Sequence, residues 1–407
     1  MYILYLLLAL LILLVMVTIH EFGHYIAGKL LHFKINEFSI GFGKSLYSHT
    51  SKKSGEVFSI RLIPLGGYCA FEGEDGEKDT KGAFMTMAPW KRLIVLFCGP
   101  FFNILSAVIF SIILLCATGY DIPKIYSIDT VPVVVSTTVD WKDTDLIVDI
   151  NGSLVENSSP IYLSNSIKEY ATNAGIQEDN YTIRFYRDGE YFSTNVGVEF
   201  RTNNGLQVGD IVWKVNGTSI EFANDNTLTN LLQKVEGSTA TLTIRRDGVF
   251  QDVEVNLFNY GVANNTRIIG ITSTGYQHTF GEALLRCVPF TFGLGYKVLQ
   301  SLWLLITGSL GLAAVGGPIT TITTIATYTQ SNFASFFVLL PLIAVNLGIF
   351  NLLPIPALDG SKMVFTTIEW IRKKPINQRV ENAIHNIGFI ILLALVIIAD
   401  IYHLIFV

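Results

Sequence analysis

Four stretches of this chain, residues 1–19, 93–120, 333–358 and 384–407, are almost wholly apolar. Each is close to or above the roughly 20 residues a helix needs to cross the hydrocarbon of a bilayer. A fifth stretch, 298–319, is also uncharged, but Gly308, Gly311, Gly316, Gly317 and Pro318 interrupt it, and it is expected to be interfacial or re-entrant. Between the first two spans the pattern changes to period two. Phe38-Ser39-Ile40-Gly41-Phe42-Gly43 and Val57-Phe58-Ser59-Ile60-Arg61-Leu62 alternate on either side of Ser51-Lys52-Lys53-Ser54-Gly55, which predicts a β-hairpin. Residues 121–276 are of mixed polarity and carry an internal repeat: Asp145-Leu146-Ile147-Val148-Asp149-Ile150-Asn151-Gly152 aligns without a gap with Asp210-Ile211-Val212-Trp213-Lys214-Val215-Asn216-Gly217. Each copy later reaches a turn signal, Arg187-Asp188-Gly189 or Arg246-Asp247-Gly248. Asn-Gly and Asp-Gly pairs suit the positive φ of tight hairpin turns, so two related β-rich modules are predicted.

Composition agrees with a membrane protein: 50% of residues are hydrophobic and 15% are charged, and the mean hydropathy is +0.45. A net charge of −5 leaves no basic surface for nucleic acid, and that class of partner is excluded. The cysteines, Cys69, Cys98, Cys116 and Cys287, have no metal-ligand spacing and are assigned no role. No basic residue precedes the first span, whereas Lys29, Lys34, Lys44, Lys52, Lys53 and Arg61 follow it, and Lys91 and Arg92 stand before the second. The positive-inside rule then puts the N-terminus outside and the far end of the first span at the cytoplasmic face. With neither a basic start nor a small-residue cleavage site, that span is expected to be retained.

Chemistry enters where the first span ends, at His20-Glu21-Phe22-Gly23-His24. Residues four apart on a helix differ by about 40° of rotation. His20 and His24 therefore share a face and can offer ring nitrogens to one zinc ion, with Glu21 close enough to act as base. Ionisable groups at the bilayer centre cost roughly 2.5–3.5 kcal/mol each on insertion scales, a cost that a bound metal offsets. A catalytic zinc takes three protein ligands, and the residues alone leave the third open. His32, His49 and His278 lie in polar loops, while His385 and His403 stand alone on an apolar helix, so all five read as ordinary surface or interfacial residues. Asp359 differs. It ends Asn351-Leu352-Leu353-Pro354-Ile355-Pro356-Ala357-Leu358-Asp359, where two prolines let a carboxylate turn inward or cap the helix that follows.

Taken together, His20 to His24, Phe38 to Gly43, Ile63-Pro64-Leu65-Gly66-Gly67-Tyr68, Gly99-Pro100 with Asn103, Gly317-Pro318-Ile319 and the run from Asn351 to Gly360 resemble the site-2 protease family, in its bacterial regulated-intramembrane-proteolysis branch. The resemblance covers nearly the whole chain in order. It implies an intramembrane zinc endopeptidase: Zn2+ held by His20, His24 and Asp359, Glu21 as general base, and Asn351 supporting the substrate backbone or the developing oxyanion. Leu206-Gln207-Val208-Gly209-Asp210 with Asn216-Gly217 likewise resembles the signature of bacterial PDZ domains, although Thr144 replaces the corresponding glycine of the first copy. Only residues 201–204 separate that loop from the preceding strand, so the second copy's first strand is missing or borrowed.

The fold expected is a polytopic α-helical membrane protein with a membrane-associated β-hairpin and inserted extracytoplasmic β-rich PDZ-like modules. Its parts are an N-terminal membrane core (1–120), a first module (121–200), a second module (201–276), an interfacial or re-entrant segment (277–332) and a C-terminal membrane core (333–407). The expected setting is a bacterial plasma membrane with the active site near the cytoplasmic side. The expected partners are membrane lipid and single-span membrane proteins, such as anti-sigma factors pre-trimmed by a site-1-type protease, or remnant signal peptides. The alternative is a non-catalytic membrane scaffold whose modules bind unfolded protein ends.

Overall fold

The computed structural model describes residues 2–74, 80–156, 159–222, 225–259, 266–309, 316–374 and 376–406. The chain divides into two compact units, residues 1–118 with 278–407, and residues 119–277.

In the first unit the apolar run becomes α1 (Tyr2–Leu30), which continues past the expected span and so carries the whole His-Glu-x-x-His motif on one helix. It ends in a two-bond cap: Phe33 N donates to Gly28 O at 2.8 Å and His32 N to Lys29 O at 3.2 Å, with His32 left-handed at φ 66°. β1 (Ile35–Thr50) and β2 (Val57–Phe71) form the hairpin. Residues 37–40 of β1 lie opposite 57–60 on one side and 67–70 on the other, so β2 flanks β1 twice. Arg61 fastens this ribbon, donating through Nε to Ser39 Oγ at 3.0 Å and through Nη2 to Glu37 Oε1 at 2.7 Å. α2 (Pro89–Ala117) opens with proline at its first position, where no backbone donor is lost. It meets α1 backbone to backbone: a Cβ added at Gly23 would lie 2.3 Å from Cys98 O. Such close approach through small residues is how helices pack where no hydrophobic force drives them together.

Among the described residues, the second unit holds two larger antiparallel sheets and one short pair, Phe258–Asn259 with Arg267–Ile268. In the first, Val131–Thr137, Glu190–Arg201, Asn180–Arg187, Leu146–Ile150 and Ser153–Leu154 lie in that order. Together with α3 (Leu163–Ala174) they enclose Ile147, Ile167, Tyr181, Phe185 and Val196. The second sheet runs Val249–Asn256, Thr239–Arg246, Ile211–Val215, Pro123–Ile128 and Ile271–Gly275. Its core, with α4 (Leu228–Gln233), is built on Val212, Leu231, Leu242, Ile244 and Val255. Pro123–Ile128, grouped by sequence with the first module, therefore pairs in the second, so a boundary at 200/201 does not follow the sheets. The physical reason is the short 201–204 connection, which has no length for a strand; Ile125 fills the gap, its N donating to Asp210 O at 2.8 Å and its O accepting from Gly209 N at 2.9 Å.

The repeat has a common structure. Asp145 is fully buried and accepts from Arg187 Nε at 2.6 Å and from Lys142 N at 2.9 Å. Asp210, 1% exposed, accepts from Arg246 Nε at 2.7 Å and from Gln207 N at 2.8 Å. Asn151 and Asn216 are both left-handed, and their side-chain oxygens accept from Thr182 N and Thr241 N.

The first unit resumes with α5 (Phe280–Ile306), opened by a capping box between Thr279 and Glu282. α5 packs on α2 through a buried Ser111–Thr291 hydroxyl pair at 2.9 Å. α6 (Pro318–Ser331), α7 (Ala334–Leu352), α8 (Asp359–Arg372) and α9 (Gln378–Phe406) follow. The stretch 298–319 is thus the end of α5 and the start of α6, with 310–315 outside the described residues. Asp400 of α9 caps α6, accepting from Thr320 N at 2.9 Å and Ile319 N at 3.2 Å. Among the described residues, α1, α2, α7 and α9 are long and apolar enough to cross a membrane. Leu4, Leu7 and Leu11 of α1 and Ile387, Ile390, Ile391 and Ile398 of α9 face outward, as lipid-facing side chains do.

Candidate metal centre

α1 presents His20 and His24 one turn apart, both 7% exposed, with their rings nearly perpendicular at 87°. The carboxylate of Asp359, 339 positions along the chain, closes on them: its Oδ2 lies 2.9 Å from His20 Nε2 and 3.3 Å from His24 Nε2, and the two Nε2 atoms are 3.2 Å apart. Donors about 2.0–2.1 Å from a tetrahedral zinc stand about 3.3 Å from one another, so the triangle has the dimensions such an ion needs. Among the described residues, these three side chains form the group of His, Cys, Asp or Glu suited to hold a metal. Asp359 is the first residue of α8, behind Leu358 at the cap position. Its carboxylate therefore goes to the imidazoles, not to a capping bond. Its place in the first helical turn also suits a negative charge.

The remaining ring nitrogens show how the ligands are oriented. His24 Nδ1 donates to Val95 O at 2.8 Å, leaving Nε2 free for a metal. His20 Nδ1 faces the side-chain amide of Asn103 at 3.3 Å. A histidine that ligates through Nε2 carries its proton on Nδ1 and needs an acceptor there. Asn103 Oδ1 is buried and otherwise without a partner, so turning the amide to present that oxygen satisfies both groups. The orphaned oxygen is thus evidence that the site is built for a metal. Asn103 appeared in the sequence only as part of the Gly-Pro-x-x-Asn pattern, with no role; its signal was a polar residue in an uncharged span.

Glu21, half-buried, stands outside the ligand triangle, and its Oε2 accepts from Cys69 N of β2 at 3.0 Å. The hairpin thereby fixes the carboxylate. Gly99 of α2 closes one side of the centre, since a Cβ there would fall 2.3 Å from His24 Nε2 and 2.9 Å from His20 Cε1. Asn351 lies on the last turn of α7, with Nδ2 donating to Leu347 O at 2.9 Å; it is not one of the convergent donors. One turn beyond Asp359, Lys362 Nζ pairs with Glu74 at 2.7 Å. Arg92, 3% exposed, anchors the start of α2 to Glu369 of α8 at 2.6 Å. His385 is not the isolated histidine its sequence setting suggested: its Nδ1 accepts from Ala357 N at 3.1 Å.

The chain is similar to known proteins along nearly its whole length. The chain is 26% identical over 439 residues to the regulator of sigma E protease of Haemophilus influenzae, covering 95% of each chain. It is 24% identical over 417 residues to the zinc metalloprotease RasP of Oceanobacillus iheyensis, covering 94% of this chain and 95% of that one. The model of peptidase family M50 matches residues 8–395. A family model matched over residues 8–395 of a multi-pass chain, with a metal-suited donor group on its first membrane helix, leads to one conclusion: this protein belongs to peptidase family M50, the site-2-type zinc metalloproteases.

Proposed function

We propose that the protein hydrolyses peptide bonds within the membrane-spanning segments of single-span membrane proteins or remnant signal peptides. In this reading His20, His24 and Asp359 hold the zinc and Glu21 is the general base. The observation that carries it is the convergence of three donor atoms beside Glu21, on a helix apolar enough to cross a membrane. Zinc, when bound, supplies a Lewis acid that acidifies water and polarises a carbonyl. Glu21 takes the proton of the attacking water as its oxygen bonds the scissile carbonyl carbon, then delivers that proton to the nitrogen as the C–N bond breaks. The Cys69 N–H holds the Glu21 carboxylate while it does so. Asn351 lends its second amide hydrogen to the substrate backbone or the oxyanion. A helical substrate hides its carbonyls in internal hydrogen bonds and unwinds before attack, and the edge of the β1–β2 ribbon replaces those bonds.

The distribution of basic residues supports a catalytic centre near the cytoplasmic face of a bacterial plasma membrane, with residues 119–277 outside. The name of the Haemophilus relative supports a substrate in transcriptional signalling, such as an anti-sigma factor already trimmed by a site-1-type protease. The two β modules then act as a size filter against intact ectodomains. One observation favours filtering over capture of chain ends. In the Leu206–Asp210 loop, N–H groups that could receive a terminal carboxylate are engaged: Gln207 N donates to Asp210 Oδ2 at 2.8 Å, Gly209 N to Ile125 O at 2.9 Å and Asp210 N to Gln207 O at 3.1 Å.

The test is Glu21→Gln in purified protein, which keeps its zinc and loses cleavage, beside His20→Ala, which loses both. Full cleavage by Glu21→Gln would sink the mechanism. Deleting the modules should permit cutting of substrates with bulky ectodomains while pre-trimmed substrates are still cut; loss of pre-trimmed cleavage in a zinc-loaded deletion would reject filtering.

A further inference from the structure

The loop that delivers Asp359 is an unusual piece of backbone. Pro354 and Pro356 offer no N–H, and Ala357 sits at φ 78°, a left-handed conformation that residues with a Cβ rarely adopt. Its internal bonds are few: Ile355 N donates to Leu353 O at 2.7 Å, Leu358 N to Ile355 O at 3.1 Å, and Ser361 Oγ returns to Leu358 O at 2.8 Å. Ala357 N instead donates out of the loop, to His385 Nδ1 of α9 at 3.1 Å. The side chain of His385 is 14% exposed, and its ring stands edge-on to Phe365 of α8 at 5.6 Å. One turn along the same face of α9, a Cβ added at Gly388 would lie 2.1 Å from Pro356 Cβ. The last helix therefore grips the loop at adjacent residues, pressing on Pro356 and binding the N–H of Ala357, two positions before Asp359.

The direction of that bond defines the histidine's state. A backbone N–H can only donate, so Nδ1 is the acceptor and the ring proton resides on Nε2. His385 is thus neutral, with Nδ1 occupied by Ala357 N and, at 3.4 Å, by Ser361 Oγ. We propose that His385 is a positioning residue of the zinc centre: by holding Ala357 N–H in its left-handed conformation it fixes the direction from which the Asp359 carboxylate meets His20 and His24. The inference rests on the reading of Asp359 as a ligand. Outer partners of this kind typically change metal affinity by about 10- to 100-fold when lost.

The experiment compares three full-length variants, His385→Leu, His385→Asn and Asp359→Asn, measuring zinc affinity by chelator competition, thermal melting in excess zinc, and cleavage. Asparagine carries an acceptor close to the place of Nδ1; leucine fills the space without one. His385→Leu should weaken zinc binding by about 10- to 100-fold and lower kcat more than KM, whereas His385→Asn should stay within about threefold of the native affinity. A side chain that only fills space predicts the reverse order, since asparagine is the smaller and more polar replacement. Native zinc affinity in folded His385→Leu overturns the proposal, as does a folded His385→Asn as weak as His385→Leu. Should the leucine variant not fold, the asparagine variant decides alone. Asp359→Asn separates the two layers: native zinc affinity there breaks the ligand assignment, while weak binding there beside native binding in His385→Leu breaks only the role of His385.

Discussion

Asp145 and Asp210 in the β modules, and Asp359 at the end of the membrane loop, are three carboxylates withdrawn from solvent in different ways. Each module aspartate meets a guanidinium and a backbone N–H, so its charge is balanced by groups the module itself supplies. Asp359 is aimed at two imidazoles, which are balanced partners only when a cation joins them or a proton is added. Both arrangements avoid an unpaired buried charge, which is costly. The module pairs are complete at home and serve the fold; on the proposed reading the membrane carboxylate is complete only with a metal bound, and serves the chemistry.

Breaking the module pairs should have the largest effect on stability. Arg187→Ala or Arg246→Ala strands a buried carboxylate by removing its guanidinium partner. Hydrogen exchange in the full protein should show strands Asn180–Arg187 or Thr239–Arg246 losing protection, each in its own module. Protection unchanged in both would mean the pairs are ornamental.

Asp359→Asn probes the other side of the contrast. The zinc-free protein, which gives up only the contacts of Asp359 with His20 and His24, should melt within about 1 kcal/mol of native, while zinc affinity falls by at least about a hundredfold, or about 2.7 kcal/mol. A large drop in melting temperature without metal would place Asp359 with the structural aspartates. Asn103→Leu should follow at about tenfold in zinc affinity, by removing the acceptor for His20 Nδ1, and Asn103→Asp should recover most of it.

The smallest effect is that of acid. The Arg187 hydrogen bonds hold Asp145 below its ordinary carboxylate range. A depressed folded pKa means stability that is present above the unfolded value, about 3.9, and is lost as pH falls through the folded one. Protection factors in the first module, which correct for the intrinsic slowing of amide exchange in acid, should therefore fall on going from pH 5 to pH 3, and the increment should vanish in a doubly apolar Asp145→Leu, Arg187→Leu variant. An equal increment in that variant would assign the acid sensitivity to other groups.

What could be read from the chain alone follows the range of each interaction. The His20-to-His24 spacing, the apolar spans and the paired Asp and Arg-Asp-Gly signals are local patterns, and local geometry converts them directly into a shared helix face or a hairpin turn. Residues 280–306 form a single helix although the uncharged stretch begins only at 298, because Glu282, Arg286 and Lys297 interrupt the hydropathy without interrupting the backbone. The strand Pro123–Ile128 joins a sheet whose other members begin at Ile211, a pairing no window of sequence contains. His385 was invisible for the same reason: its partner is a backbone N–H 28 positions away, and backbone groups leave no trace in residue identity. The third ligand needed a family resemblance, since neither spacing nor polarity linked Asp359 to a helix 339 positions earlier.

That separation has a consequence in time. At about 5–20 residues per second, a ribosome takes roughly 20–70 s to travel the 339 positions from His20 to Asp359, and the helix bearing His385 emerges later still. Throughout that interval α1 carries His20, Glu21 and His24 without Asp359, so on the proposed ligand set the growing chain has no closed centre with which to cut. A stalled nascent chain ending before Asp359 should hold zinc far more weakly than the finished protein, and tight zinc in such a chain would refute this. Dividing a destructive site between distant parts of one polypeptide makes synthesis itself the safety catch.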